Sequence, residues 1–225
     1  LGVDLLLREV DVERGSRLGL EAAARAARYC AFATCTADIL LLGHHADDQA
    51  ETLLFNLLRG AGVAGAAAIP VERRHGRLRI LRPLLDCTRR EIEAYARDHR
   101  LPWVDDESNA DTALSRNFLR HDVLPVLAAR FPAAGRNLAQ AAGHFAEADA
   151  LLSQLAAADW QAVARDDAVP LGPLRALSLP RLKNLLRHRL WPLRWPAAAA
   201  APLERLCRRQ RVAGLERQHA REPHA

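Results

Sequence analysis

The chain has 225 residues, half of them hydrophobic, which is enough to bury a core and to build one or two domains. No stretch approaches the roughly 18 uninterrupted apolar residues of a membrane span, and residues 1–12 lack a basic region followed by an apolar core, so neither a membrane segment nor a signal peptide is expected. The net charge of +5 is uneven: residues 1–150 carry 19 Lys/Arg against 21 Asp/Glu, whereas residues 151–225 carry 13 against 6, a basic balance that suits a polyanionic partner and equally a solvated basic face.

Residues 18–33, rich in Ala and Leu, predict a helix. The run Asp38-Ile39-Leu40-Leu41-Leu42-Gly43 reads as a strand buried on both faces of a parallel sheet. A helix follows over 46–59, with Ala50, Leu53, Leu54, Leu57 and Leu58 on one apolar stripe. The Gly/Ala-rich stretch 60–70 reads as a flexible loop beside a substrate. Its Gly60-Ala61-Gly62-Val63-Ala64-Gly65 spells G-x-G-x-x-G, but it follows a helix instead of a strand, which rules out a dinucleotide fingerprint. Leu78 to Leu81 predicts a second strand, and Thr88-Arg89-Arg90-Glu91 is a capping box opening a helix to about His99.

An acidic loop, Asp105 to Asp111, leads to a segment over 115–127, and strand–helix alternation to this point means an α/β domain with a parallel sheet. After Phe131 strand signals stop, and helices are expected over 135–163 and 179–190. The domain boundary is placed at residue 130, giving an α/β domain over 1–130 and an all-α domain over 131–225. Ala197 to Ala201 reads as a linker or helix start, and the tail beyond Val212 as mobile. Cys30, Cys35, Cys87 and Cys207 make no C-x-x-C pair, so reduced thiols without a metal role are expected.

The chemistry-bearing residues concentrate in Gly43-His44-His45-Ala46-Asp47-Asp48-Gln49-Ala50-Glu51-Thr52, where a parallel strand ends and a helix begins. Ligands of open α/β sheets bind at that end of the strands. On a helix Asp47, Asp48 and Glu51 fall within an arc of roughly 100°. They could hold a hydrated Mg²⁺, accept a proton from an attacking amine, or complement the helix dipole. A dipole role accounts for one or two acids but not for the adjacent histidines. Arg116 and Arg120 are four apart, and that spacing suits either phosphate binding or an ion-pair network with nearby acids.

Three blocks, "GHHADDQAETLLFNLLRGAGVAG", "LRILRPLLDCTRREIEAYARDHRLPWVDDESNAD" and "SRNFLRHDVLPVL", with the preceding "LEAAARAARY", resemble the tRNA(Ile)-lysidine synthetase family of PP-loop enzymes. The resemblance implies a cytoplasmic ATP-dependent ligase forming a C–N bond. In that family ATP adenylates C2 of the wobble cytidine of tRNA(Ile) with a CAU anticodon, and free L-lysine displaces AMP to leave lysidine. It implies Asp48, Glu51 and Arg116 as catalytic residues, Asp47, His44 and Gly43 at the cofactor, and Arg59, Arg120 and Asn117 toward tRNA. Asp48 and Asp47 would carry Mg²⁺, the helical domain would bind tRNA, and a homodimer is left open. The family's S-G-G-x-D-S loop occurs nowhere in the 225 residues, so the expectation is a member truncated at its N-terminus. A tRNA cytidine thiolase, which leans on clustered cysteines, and a non-catalytic tRNA-binding remnant are the alternative readings.

Overall fold

The computed structural model describes residues 5–12, 20–104, 115–164 and 170–190. The expected acidic loop at 105–111, the linker at 197–201 and the tail beyond 212 lie outside them. Contacts group the chain into two units, Leu1–Ala142 and Gly143–Ala225. No helix among the described residues is long and apolar enough to cross a membrane.

The first unit begins with α1 (Leu20–Ala33), β1 (Ile39–Leu41) and α2 (Ala46–Leu58), followed by the short α3 (Val63–Ala66). Strands β2 (Glu72–His75) and β3 (Leu78–Leu81) then form a hairpin that turns at Gly76, whose φ of +59° suits a residue without Cβ. The sheet order is β1-β3-β2. β1 runs parallel to β3 with Leu41 opposite Leu81, as expected, but β2 is antiparallel, so the sheet is mixed and not wholly parallel. β2 escaped the sequence reading because Glu72-Arg73-Arg74-His75 has no apolar alternation. It is held instead by the ladder and by Arg79, whose Nε and Nη2 donate to Glu72 Oε1 and Oε2 at 3.0 and 3.2 Å.

Burial also departs from expectation. Ile39 and Leu41 of β1 are exposed, while Leu78 and Ile80 of β3 are fully buried. β1 pairs only with β3 among the described residues, so its outer edge and side chains are not covered there. The core is built from β3, the first half of the α2 stripe (Ala50 and Leu53), Ala66, Leu85 and Leu119. Leu57 and Leu58, at the far end of that stripe, are exposed.

α2 stops in a Schellman motif: Gly60 at φ +74° lets its N–H reach Leu57 O at 2.9 Å, and Ala61 N–H reaches Asn56 O at 3.0 Å. The glycine-rich stretch after it is not the flexible loop expected. Asn56 Nδ2 donates to Gly65 O at 2.7 Å, and a Cβ on Gly65 would come within 2.6 Å of Ala61 Cβ. Close packing explains Gly65 and the left-handed turn explains Gly60.

α4 (Arg89–Asp98) opens with the expected capping box, in which Thr88 N donates to Glu91 Oε2 at 2.7 Å and Glu91 N to Thr88 Oγ1 at 3.3 Å. α5 (Ser115–Phe118) then runs through a π-helical turn, Leu119–Val123, into α6 (Leu124–Arg130). α7 (Ala134–Val163) comes next.

In the second unit the described elements are the end of α7, α8 (Leu171–Ala176) and α9 (Leu179–Leu190). Asp159, buried on α7, accepts two bonds from Arg181 on α9. Arg189 lies 3.7 Å from the Trp160 ring centroid, and Asn184 Nδ2 donates to Leu152 O at 2.7 Å.

Candidate active site

The end of β1 and the start of α2 are pinned to neighbouring segments by backbone bonds. Leu42 N–H donates to Leu81 O at 2.9 Å, extending the parallel pairing, and Ala46 N–H donates to Cys87 O at 2.8 Å. His45 is the extended N-cap of α2, and its own N–H is taken by Asp48 Oδ2 at 3.0 Å. Residues 43–51 are thereby held at the carboxyl end of the β1–β3 pair, where open sheets place their ligands.

Glu51 is 3 % exposed, and its partner comes from the π-helical turn: Arg120 Nε donates to Oε1 at 2.6 Å and Nη2 to Oε2 at 2.9 Å. The same Nη2 reaches Asp48 Oδ1 at 3.1 Å. One guanidinium thus fixes two carboxylates in a bidentate, charge-assisted geometry. Burial pushes the Glu51 carboxyl above its ordinary range, an effect that Arg120 partly offsets. Its bonds to Glu51 raise Arg120 further.

Asp47 faces elsewhere. Its Oδ2 accepts from Arg89 N, the first residue of α4, at 2.7 Å, so this acid joins the N-termini of α2 and α4. His45 sits between the two aspartates, Nδ1 3.5 Å from Asp47 and Nε2 3.5 Å from Asp48. These are ionic contacts at the limit of hydrogen bonding. The histidine lowers Asp47 to about 2, with Arg89 N–H adding to the effect, and Asp47 in turn raises His45.

The other expected residues are distributed unevenly. His44 is half-buried; burial lowers it, Asp48 opposes that, and the charges of Arg82, Arg25 and Arg116 lower it further. Arg116 is therefore electrostatically within reach of the site, and Asn117 is buried one residue on. Gly43 lies beside them in the chain with open space around its Cα. Arg59 is not brought to the site: at the opposite end of α2, about 16 Å from Asp48 by helical rise, it stacks on Phe55 at 5.0 Å.

Two features escaped the sequence reading. Gln49 acts as a surrogate strand partner, taking the Ile69 N–H at 2.7 Å and donating to Ile69 O at 2.8 Å, which ties α2 to the segment before β2. Its position inside the acidic motif hid this structural duty. Beside Glu51 and Asp47 an open cleft of about 640 Å³ is rimmed by Arg90, Arg136 and His121 and walled by Leu124 and Pro125. Only the fold brings residues 90 and 136 together.

A family model described as a PP-loop domain matches residues 1–127, more than half of the chain. The chain belongs to the PP-loop family. It is also similar to proteins named tRNA(Ile)-lysidine synthase: 45% identical over 206 residues to one from Pseudomonas fluorescens (strain Pf0-1), covering 86% of this chain and 46% of the relative. Identity is 49% over 190 residues to one from Alkalilimnicola ehrlichii, covering 84% and 43%. It reaches 50% over 206 residues with one from Pseudomonas syringae pv. tomato, covering 86% and 45%. The PP-loop chain thus spans less than half the length of the curated relatives it matches.

Proposed function

We propose that the protein takes part in ATP-dependent ligation of free L-lysine to C2 of the wobble cytidine of tRNA(Ile) bearing a CAU anticodon, through an adenylated tRNA. The observation that carries this reading is the 45–50% identity to proteins named tRNA(Ile)-lysidine synthase over 84–86% of the chain. The geometry at the start of α2 supports it. Glu51, held by Arg120, and Asp47 border a cleft with an aliphatic wall, which suits an ammonium group on an aliphatic stem.

ATP would supply the adenylyl group that activates the C2 oxygen. Asp48 orients the lysine amine and takes its proton. Glu51, locked by Arg120, keeps the local field negative and the Asp48 carboxylate in place. Arg116, whose charge reaches His44, would meet the phosphate, where a cation favours developing negative charge. Asp48 and Asp47 would be the carboxylate donors to Mg²⁺, but Asp47 accepts from Arg89 N–H and Asp48 from Arg120 and His45 N–H, and no cluster of three metal-ligating side chains occurs among the described residues, so no step is assigned to the ion. Asn117 would contact the tRNA, as would the region expected to be helical from residue 131, whereas Arg120 is committed to Glu51 and Asp48.

The test is incubation of the full-length protein with labelled lysine, ATP and tRNA(Ile), leaving out each component in turn. Label is expected in tRNA only when all three are present. Failure of the complete mixture to label tRNA overturns the proposal.

A further inference from the structure

Gln49 lies inside the acidic motif yet takes no part in the chemistry assigned above. Its side chain grips one residue by both backbone groups, accepting from Ile69 N–H at 2.7 Å and donating to Ile69 O at 2.8 Å. Two turns further along α2, Asn56 Nδ2 donates to Gly65 O at 2.7 Å. At ~100° per residue the two amides lie about 20° apart around the helix, and Gln49 lies about 160° from Glu51. α2 is therefore held on one side by residues 65–69 and on the other by Arg120, which binds Glu51 and Asp48.

The segment that Gln49 grips is itself constrained. Ala68 has a φ of +54°, a left-handed conformation that is costly for a residue with Cβ and persists only where the surroundings over-determine it. Those surroundings are Gln49 on Ile69 and Arg82 on the next two residues, with Nη1 donating to Pro70 O at 2.7 Å and the backbone N–H to Val71 O at 3.0 Å. The grip thus has a fixed base. Ala50 and Leu53 also hold α2 by burial, but apolar packing is non-directional, whereas hydrogen bonds set the rotation of a helix about its axis. Side-chain ends lie about 5–6 Å from that axis, so a rotation of about 10° moves a carboxylate oxygen by about 1 Å. A misplacement on that scale can cost about 10²-fold in rate.

We propose that Gln49 is a positioning residue: its grip on Ile69 sets the rotation of α2, and so the aim of Asp48 at the substrate amine and of Glu51 at Arg120. Asn56 makes the same kind of bond to the same segment but lies about 12 Å from Asp48 by helical rise, and it serves stability alone. That the aimed carboxylate meets a lysine amine rests on the proposed function; the aiming of Glu51 at Arg120 does not.

The test compares Gln49→Met with Asn56→Leu in the full-length protein, since both remove amide bonds and keep side-chain bulk. Both should lower the melting temperature. At a temperature where circular dichroism shows every variant folded, Gln49→Met should lower kcat for lysine transfer at least about tenfold with KM for ATP unchanged, and Asn56→Leu should leave kcat within about twofold. Gln49→Asn, one methylene short of both bonds, should fall between them and replaces Gln49→Met should that variant not fold. Urea denaturation gives a second readout that needs no turnover. The stability lost on Arg120→Lys should shrink by at least about half when Gln49→Met is also present, and should simply add to that of Asn56→Leu. A Gln49 variant with the kcat of the parent, or equal losses of kcat at positions 49 and 56, overturns the proposal. So does additivity between the Gln49 and Arg120 variants. Should the parent protein fail to label tRNA while the two stabilities are coupled, the lysine reading falls and the positioning role stands.

Discussion

Two arginines reach into the first unit, and their charges are met in opposite ways. Arg120 commits its fork to Glu51 and Asp48, forming a closed ionic network whose members fix one another. Arg82, more deeply buried, has a carbonyl and a phenol as partners and no acid. In the proposed function the first arrangement presets carboxylates for a cationic substrate group, whereas the second leaves a buried positive charge with neutral partners only.

The largest effect that separates the two regions is on turnover. Asp48→Asn retains the size of the side chain and an acceptor for His45 N–H but removes the charge. Lysine transfer by the full-length protein should fall by at least about 10²-fold, the scale of a lost proton acceptor. Full transfer activity in this variant would remove Asp48 from the chemistry.

Arg120→Met tests the closed network by stability instead. It leaves Glu51 buried with no cation, and removal of one partner of a buried ion pair costs about 3–5 kcal/mol. Urea denaturation should show a loss on that scale at neutral pH. A loss below about 1 kcal/mol would mean that Glu51 is solvated or protonated and that Arg120 does not position it.

How much of this was legible depended on whether a duty is local in sequence. The carboxylate cluster, its place after β1 and the Thr88–Glu91 cap could be read directly, because helix starts and strand ends are short-range features. Arg120 stood out only as one of a pair of arginines; the π-helical turn that aims it at Glu51 leaves no trace in residue spacing. β2 was invisible because an antiparallel edge strand held by ladder bonds and an Arg79–Glu72 pair needs no apolar face. The exposed β1 misled for the converse reason: three consecutive apolar residues state a preference for burial, not what supplies it. Gln49 and the Gly65 packing were hidden because their partners lie 20 residues on and in the adjoining turn.

A smaller effect sharpens the division inside the carboxylate region. Asp47 is lowered from 3.8 to about 2 by His45 and Arg89 N–H, so its stabilising contribution is complete above pH 3.8 and fades as pH falls toward 2. His45 is raised, so its contribution is complete below 6.5 and is lost as pH climbs through the raised value. Asp47→Asn should therefore be less stable at neutral pH and show a flatter acid limb between about pH 4 and 2 in pH-dependent melting. An acid limb as steep as that of the parent would place Asp47's role in ligand binding and not in joining α2 to α4.

The smallest effect is the one on which the comparison turns. Arg82→Met removes hydrogen bonds to Pro70 O and Tyr29 Oη, each worth about 1 kcal/mol net, but also removes the desolvation of an uncompensated cation. The two terms oppose, so unfolding free energy should change by no more than about 1 kcal/mol, against about 3–5 for the equivalent change at Arg120. The discriminating quantity is the difference between the two Met variants under one set of conditions. Equal losses would mean that an acid compensates Arg82 after all. A near-neutral Arg82→Met would identify a buried arginine that contributes little to folding.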